Sequence, residues 1–201
     1  MQFILSVNMS SEVKLSIILP CYNGGKTIGR ALDSIFMQRV NFDYELIIVD
    51  DGSIDDSMSI VKKYQTEHDN IKIVGDGTNH GNALAFYNGL SASSGKYFCV
   101  LDVDDYYTIN CKLQKQIDFL EDDVDEDYVA VTHYYIIDLG EGRVNLPDCS
   151  GVEEFNYMDI VGQRSGYYHT SAYIYRNIFR ERVPDLFKED RFRGDTVRTV
   201  V

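Results

Sequence analysis

Positive charge is scarce in this 201-residue sequence, which has 19 Lys and Arg residues against 32 Asp and Glu residues and a formal net charge of −13. Proteins that bind nucleic acid need a basic surface to neutralise phosphates, and no basic stripe runs through this chain, so we expect no nucleic-acid partner. The same balance disfavours a broad electrostatic attachment to an anionic membrane. A phosphate-bearing ligand would therefore need a metal ion or helix N-termini to offset the field of the protein.

Paired cysteines, long apolar runs and internal repeats are also missing. The cysteines have no C-x-x-C spacing and no matching histidine cluster, so we interpret them as reduced thiols and expect a cytoplasmic protein. They are Cys21, Cys99, Cys111 and Cys149. The apolar patch at residues 3–5 is too short for a signal peptide or a membrane span, and no basic segment precedes it. We interpret residues 1–12 as an N-terminal extension.

Hydrophobic residues make up 44% of the chain, which is enough to bury the core of one domain. Through residue 120, apolar runs typical of buried strands alternate with segments of helical spacing. The strands are expected at 15–19, 45–49, 71–74 and 97–101, with Pro20 ending the first and Ser53 capping the second helix. This order predicts an α/β fold with a mostly parallel central sheet. Two further strands are expected near 128–137 and 171–175.

Polar or glycine residues follow each of the four early strands. The first strand leads into Tyr22 and two glycines, where a tyrosine ring can lie against a base. The second leads into Asp50 and Asp51, whose carboxylates can accept hydrogen bonds from a base or a ribose. The third leads into a glycine-rich turn at 75–81. Because the carboxyl ends of parallel strands meet at one edge, the four ends together predict a shared ligand crevice.

The fourth strand leads into the carboxylates of Asp102, Asp104 and Asp105. Spaced two residues apart, Asp102 and Asp104 can converge on one hard cation, which typically takes one or two protein carboxylates plus phosphate oxygens. Taken alone, such a motif is better explained as an acidic surface turn. The three other strand ends favour a metal-held nucleoside diphosphate.

Five motifs in this order and spacing resemble the family 2 glycosyltransferases, which are inverting enzymes of the GT-A fold. The resemblance covers about residues 15–120 and continues more weakly through 169–177 and 193–196. The motifs are Pro20-Cys21-Tyr22-Asn23, Val49-Asp50-Asp51-Gly52-Ser53, Asn79-x-Gly81, Ser94-Gly95-Lys96-Tyr97 and Leu101-Asp102-Val103-Asp104-Asp105. The resemblance implies transfer of a sugar from a nucleoside diphosphate, most often a uridine one, to a hydroxyl of a glycan or lipid-linked acceptor.

The resemblance also implies a role for individual residues. Asp51 would hold the uracil, Asp102 would contact the donor and the cation, and Asp104 would bind Mn²⁺ or Mg²⁺. Asp195 would be the general base that deprotonates the acceptor, although its place after Gly194 also suits a carboxylate at the start of a helix. The other donor-binding residues that it implies are Pro20, Tyr22, Asn23, Asp50, Gly81 and Val103.

Three departures from the family pattern stand out. Phe86 occupies the place of an Arg that approaches the diphosphate in many members, and Gly194 replaces the acid before the base. The chain ends soon after Asp195, so we interpret residues 13–201 as one C-terminally truncated domain. Its donor half is 13–126 and its acceptor half is 127–201. A following segment would allow peripheral association with the inner face of the membrane.

Other functions remain open at this stage. A phospho-receiver domain also has an Asp pair after an early strand, and Asp76 would be its loose phosphoacceptor, but no matching Lys is evident. A sugar-phosphate nucleotidyltransferase would carry an Arg in the loop after the first strand, which is absent here. A domain that binds a nucleotide sugar without catalysis is harder to distinguish from an enzyme by sequence. We interpret His80 and His169 as structural or surface residues rather than metal ligands. Tyr106 and Tyr107 would either pack in the core and its rim or stack on sugar faces.

Overall fold

The computed structural model describes residues 12–133, 135–138, 144–145 and 169–185. Strands and helices alternate through the first part of the chain, and four short strands and a 3₁₀ turn follow. The first part comprises β1 (Leu15–Cys21), α1 (Ile28–Phe36), β2 (Tyr44–Asp50), α2 (Ser57–Gln65), β3 (Ile71–Val74), α3 (Asn82–Ser91), β4 (Tyr97–Val100) and α4 (Lys112–Asp122). The second comprises β5 (Ala130–Val131), β6 (Ile137–Asp138), β7 (Val144–Asn145), the 3₁₀ turn Thr170–Ala172 and β8 (Ile174–Arg176).

The main sheet has six strands in the order β3-β2-β1-β4-β8-β5. The first four strands of that order are parallel, and β8 runs antiparallel to both β4 and β5. The predicted α/β fold with a mostly parallel sheet is therefore confirmed. From β1 the chain winds outward to β2 and β3, and then returns to place β4 on the other side of β1. The β1–β4 boundary is thus a topological switch point, where open α/β sheets bind ligands beyond the carboxyl ends of their strands.

Both faces of the sheet are buried, which explains why its central strands are apolar throughout. Alternate residues of β1 point to opposite faces. Ile17 and Leu19 pack in one cluster with residues of α1, α2 and α4, whereas Ile18 packs in a second cluster with Ala85 and Phe86 of α3. These strands and helices hold the loops at the two edges of the sheet in place.

The amino edge of the sheet is fixed by a buried polar network around Glu45. The Glu45 carboxylate accepts hydrogen bonds from the Ser16 hydroxyl at 2.6 Å, from the Ser94 amide at 2.7 Å and from Lys72 Nζ at 2.5 Å. Burial by itself would raise the pKa of Glu45, but these hydrogen bonds outweigh burial and lower that pKa. The Ser94-Gly95-Lys96-Tyr97 motif thus has a structural role, because it lies at the amino edge of the sheet and Ser94 binds Glu45 there.

Pro20 lies inside β1, so the predicted end of that strand at Leu19 is wrong. Pairing with β4 stops at Ile18–Val100, whereas pairing with β2 continues to Cys21–Asp50. Backbone groups of successive strand residues point to alternate neighbours, and Cys21 O accepts the amide of Asp51 on the β2 side. The missing N–H of Pro20 therefore faces the side on which β4 has already ended, where a proline is tolerated.

Three other local predictions were wrong. Helix α2 begins at Ser57 with Asp56 as its N-terminal flanking residue, so Ser53 does not cap it. The predicted strand at 128–137 is two short strands, β5 and β6, and the predicted strand at 171–175 is a 3₁₀ turn followed by β8.

No helix in the ranges given above has the length and apolar character needed to cross a bilayer.

Candidate functional site

The loops after β1 and β2 lie side by side at the carboxyl edge and are joined by hydrogen bonds. The Asn23 amide donates to Ser53 Oγ at 3.1 Å, and Asn23 Oδ1 accepts the Ile54 amide at 2.9 Å. Asn23 adopts a left-handed conformation with φ of 52°, which asparagine tolerates better than most residues. Tyr22 is 52% exposed beside this link. The Ser53 hydroxyl therefore positions the first loop, which is a role that the sequence did not reveal.

Asp51 joins the loop after β2 to the loop that precedes α3. Its Oδ1 accepts the His80 amide at 2.7 Å and its Oδ2 accepts the Gly81 amide at 3.0 Å. Only 8% of Asp51 is exposed. Because an ionised carboxylate has about four acceptor positions, each oxygen retains capacity for one further donor. The direct structural role of Asp51 is to hold the His80–Gly81 backbone, and the predicted contact with uracil would add to this role.

The turn after Asp51 is a point of close backbone approach. Gly52 has a φ of +75°, and a Cβ atom placed on it would lie 2.7 Å from the backbone nitrogen of Asn79. Asp50 stabilises the same turn, since its Oδ1 accepts the Ser53 amide at 2.9 Å. A glycine is therefore required at position 52 on both conformational and steric grounds.

The loop that carries Asp102, Asp104 and Asp105 lies on the other side of the switch point. It packs directly against the first loop, because a Cβ atom on Gly24 would lie 2.4 Å from Val103 Cγ2. Asp104 is exposed, whereas Asp102 and Asp105 are partly buried. The structure thus brings the predicted residues of all four strand ends to one edge, as the sequence predicted.

Two residues from the part of the chain after residue 126 lie against this acidic loop. Ser171 Oγ accepts the Asp102 amide at 3.1 Å and donates to Asp105 Oδ2 at 2.5 Å. His169 Nδ1 lies 3.4 Å from the same Asp105 oxygen. Ser171 was not singled out by sequence reasoning, because a serine before a short strand carries no distinctive pattern.

Asp102 and Asp104 fit a cation such as Mn²⁺ or Mg²⁺ as a partial ligand set. Both are hard oxygen donors, and Asp104 faces solvent where phosphate oxygens and water can complete the coordination sphere. Within the described ranges, no three His, Cys, Asp or Glu side chains come together as a full metal site. The further ligands of a cation bound here would come from water, from phosphate oxygens or from groups outside the described residues.

A positive charge also lies near the acidic loop. The Arg30 guanidinium carbon of α1 lies 4.1 Å from the centre of the Tyr106 ring, two residues beyond Asp104. Phe86 is 1% exposed and belongs to the core, so the position occupied by an Arg in many relatives contributes no charge here. Tyr107 is 5% exposed and packs in the core, which selects core packing over sugar stacking for this residue. Tyr106 is 37% exposed.

The loop before α3 contains a histidine–aspartate pair that does not involve the acidic loop. His80 Nε2 lies 3.0 Å from Asp76 Oδ2. Hydrogen bonding between them raises the pKa of His80 and lowers the pKa of Asp76. This pairing accounts for His80 as a structural residue.

Asp195 lies outside the described residues.

Comparison with known proteins identifies the family. The model of the glycosyl transferase family 2 matches residues 16–185. This chain belongs to that family. Membership favours a glycosyltransferase over the phospho-receiver and nucleotidyltransferase alternatives.

Individual relatives agree with this assignment. An uncharacterised glycosyltransferase of Haemophilus influenzae is 31% identical over 149 residues, which cover 73% of this chain and 56% of the relative. The glycosyltransferase GlyG of Streptococcus pneumoniae is 29% identical over 186 residues, covering 89% of this chain and 59% of GlyG. The chain therefore spans a little over half the length of these curated relatives.

A solved structure shows the same architecture. S. aureus TarS, residues 1–349, in complex with UDP-GlcNAc aligns with a TM-score of 0.63 and 26% identity, covering 83% of this chain and 46% of TarS. The fold is therefore that of the GT-A glycosyltransferases, as the sequence predicted.

Proposed function

We propose that this chain is the donor-binding part of an inverting glycosyltransferase that moves a sugar from a uridine diphosphate donor to a hydroxyl of a glycan or lipid-linked acceptor. The observation that carries the proposal is the continuous set of contacts linking four strand-end loops around the exposed Asp104. This set lies at the switch point of a family 2 chain. The UDP-GlcNAc bound by TarS supports the choice of a uridine donor.

The uridine would bind beside the first two loops. Tyr22 offers an exposed ring next to Asn23, and Asp51 keeps acceptor capacity for a base N–H after binding the His80 and Gly81 amides. Asp50 and Val103 would line the same crevice, with the backbone of Pro20 below them. The rigidity of these loops would lower the ordering cost of binding.

The diphosphate would lie against the acidic loop. Asp102 and Asp104 would hold Mn²⁺ or Mg²⁺, which when bound supplies positive charge to stabilise the diphosphate as it leaves. Arg30 would add a second positive charge, since the Tyr106 ring holds its guanidinium close to the loop. These charges would offset the repulsion that a protein of net charge −13 exerts on a phosphate ligand.

Inversion at the anomeric carbon requires one in-line displacement by an acceptor hydroxyl. We assign the general base to Asp195, whose carboxylate would take the hydroxyl proton as the bond to the sugar forms. Positioned general bases contribute roughly 10²- to 10⁴-fold to the rate. The Asp195→Asn variant should therefore keep its affinity for UDP and lose most of its transfer activity.

Thermal unfolding with a panel of nucleotides tests this proposal. UDP at 100 times its dissociation constant adds about 2.7 kcal/mol. For a chain of this size, this corresponds to a rise in Tm of about 5–10 °C. We expect the largest rise with UDP plus Mn²⁺, and smaller rises with ADP, with GDP, or with UDP in EDTA.

Two variants make the assay specific. Asp104→Asn should lose the Mn²⁺-dependent part of the shift, because an amide is a poorer ligand for a hard cation. Asp69→Asn is the matched control, since Asp69 is also exposed but precedes β3 at the opposite edge. Equal shifts for UDP and ADP would refute the uridine site, and an unchanged Asp104→Asn variant would refute the metal site. Binding of UDP-sugar without any release of UDP in the presence of acceptors would favour a non-catalytic binding domain.

A further inference from the structure

The Ser171 hydroxyl closes a small hydrogen-bonded ring around the acidic loop. It accepts the Asp102 amide at 3.1 Å and donates to the Asp105 carboxylate at 2.5 Å. The Asp105 amide donates back to the Asp102 carbonyl at 2.9 Å. One side chain that is only 7% exposed therefore holds the turn through the Asp102 backbone at one end and the Asp105 carboxylate at the other.

Ser171 is itself anchored to α4. Lys112 Nζ lies 3.5 Å from the Ser171 carbonyl oxygen, and Gln116 Nε2 donates to the next carbonyl, that of Ala172, at 2.9 Å. Gln116 also donates to the Val131 carbonyl of β5 at 3.1 Å. The hydroxyl thus extends from a fixed backbone, and it holds the acidic loop against a rigid part of the acceptor half.

The two neighbouring carboxylates of the loop are used differently. Asp105 is partly buried, and its Oδ2 contacts both Ser171 and His169. Asp104 is exposed on the other side of the turn. The turn therefore engages the Asp105 side chain in contacts with Ser171 and His169 and presents the Asp104 side chain to solvent.

We propose that Ser171 and Asp105 are positioning residues for the cation that Asp102 and Asp104 would bind. This inference rests on the proposed function. Groups that orient metal ligands typically change metal affinity by 10- to 100-fold when they are removed. The acceptor half would then contribute to the donor site through Ser171, although neither Ser171 nor Asp105 touches the cation.

Calorimetric titration of UDP with and without Mn²⁺ tests the inference. We expect Ser171→Ala to raise the Mn²⁺ concentration for half-maximal UDP binding by about 10-fold or more. Its UDP affinity in EDTA should stay within about twofold of the parent protein. Ser93→Ala is the matched control, because the Ser93 hydroxyl also donates to a carbonyl, that of Leu90, and accepts from Asn177, but at the amino edge.

A second variant tests the same ring from its other end. Asp105→Asn keeps an oxygen that can accept the Ser171 hydroxyl, so its loss of Mn²⁺ dependence should be smaller than that of Asp104→Asn. An equal or larger loss in Asp105→Asn would mean that Asp105 is a direct ligand and would overturn the proposed role.

The remaining outcomes are also decisive. If Ser171→Ala weakens UDP binding equally with Mn²⁺ and with EDTA, Ser171 has a structural role only. If Ser171→Ala matches the parent protein, the hydroxyl does not position the loop. If the parent protein shows no Mn²⁺-dependent UDP binding, the proposed metal site is wrong and this inference is wrong with it. That outcome differs from one in which the parent binds Mn²⁺ and only the role of Ser171 is refuted.

Discussion

Replacing Lys112 with methionine should stabilise the protein at neutral pH and change how its stability depends on pH. Lys112 is only 4% exposed. Its ammonium group lies 3.5 Å from the Ser171 carbonyl oxygen and 4.3 Å from the centre of the Tyr107 ring. These contacts replace little of the hydration that an ammonium loses on burial. Burial consequently lowers the pKa of Lys112 to about 8.

The magnitude follows from this pKa. One pKa unit corresponds to about 1.4 kcal/mol, so the difference from an ordinary lysine pKa of 10.5 amounts to about 3 kcal/mol. Between pH 8 and 10.5 the unfolded chain binds a proton that folded Lys112 has released. Stability attributable to this residue therefore rises with pH across that interval, and the penalty is fully present below pH 8.

Urea denaturation of the parent and of Lys112→Met at several pH values between 7 and 10.5 measures this effect. We expect Lys112→Met to be more stable by up to about 3 kcal/mol at pH 7, with the difference shrinking toward pH 10.5. The tyrosines and cysteines titrate in both proteins, so their contributions to the pH dependence cancel when the two free energies of unfolding are subtracted. Lys115→Met, an exposed position on the same helix, is the control and should show no trend. A constant difference between parent and Lys112→Met would refute the buried-charge explanation.

Four further predictions concern other parts of the molecule. Hydrogen bonds from Lys14, Lys96 and Tyr97 lower the pKa of Glu121 to about 2, so Glu121→Gln should cost about 1–2 kcal/mol at pH 7 after allowance for its exposure. Since this stabilisation is lost as pH falls from about 4.5 to 2, denaturation curves of parent and variant should converge over that range. Gly89→Ala should destabilise by about 1 kcal/mol, because its Cβ would lie 2.4 Å from Ile18 Cγ2 and overpacking outweighs the helix propensity gained. Gly29→Ala, with nothing within 4 Å of its Cβ, should instead stabilise by about 0.5 kcal/mol in thermal unfolding. Arg30→Gln should weaken UDP binding about 3- to 10-fold without changing uridine binding, since the lost charge acts on phosphate; equal losses for both ligands would exclude a diphosphate role.

The sequence predicted the fold of residues 15–122 well because the signals in this part of the chain are local. Buried parallel strands are apolar on both faces, and their ends are marked by polar and glycine residues. Both features are visible without any tertiary information. The predicted convergence of Asp51, Asp102 and Asp104 at one edge follows from the direction of parallel strands.

The errors arose where tertiary contacts override local preference. Ser53 resembles a helix cap, but its hydroxyl accepts the Asn23 amide instead. Pro20 resembles a strand terminator, but its missing donor faces a side on which the ladder has already ended. Ser171 was missed because its partners, Asp102 and Asp105, are more than 60 residues away.

The proposed site is tested most directly by a crystal structure of the protein with UDP and Mn²⁺, using anomalous scattering to locate the manganese. We expect one strong manganese peak about 2.1 Å from an Asp104 carboxylate oxygen. We also expect uracil beside Tyr22 and Asp51, and the Ser171 hydroxyl still hydrogen-bonded to Asp102 and Asp105. A manganese peak away from Asp102 and Asp104, or a uracil bound outside the first two loops, would contradict the proposed site.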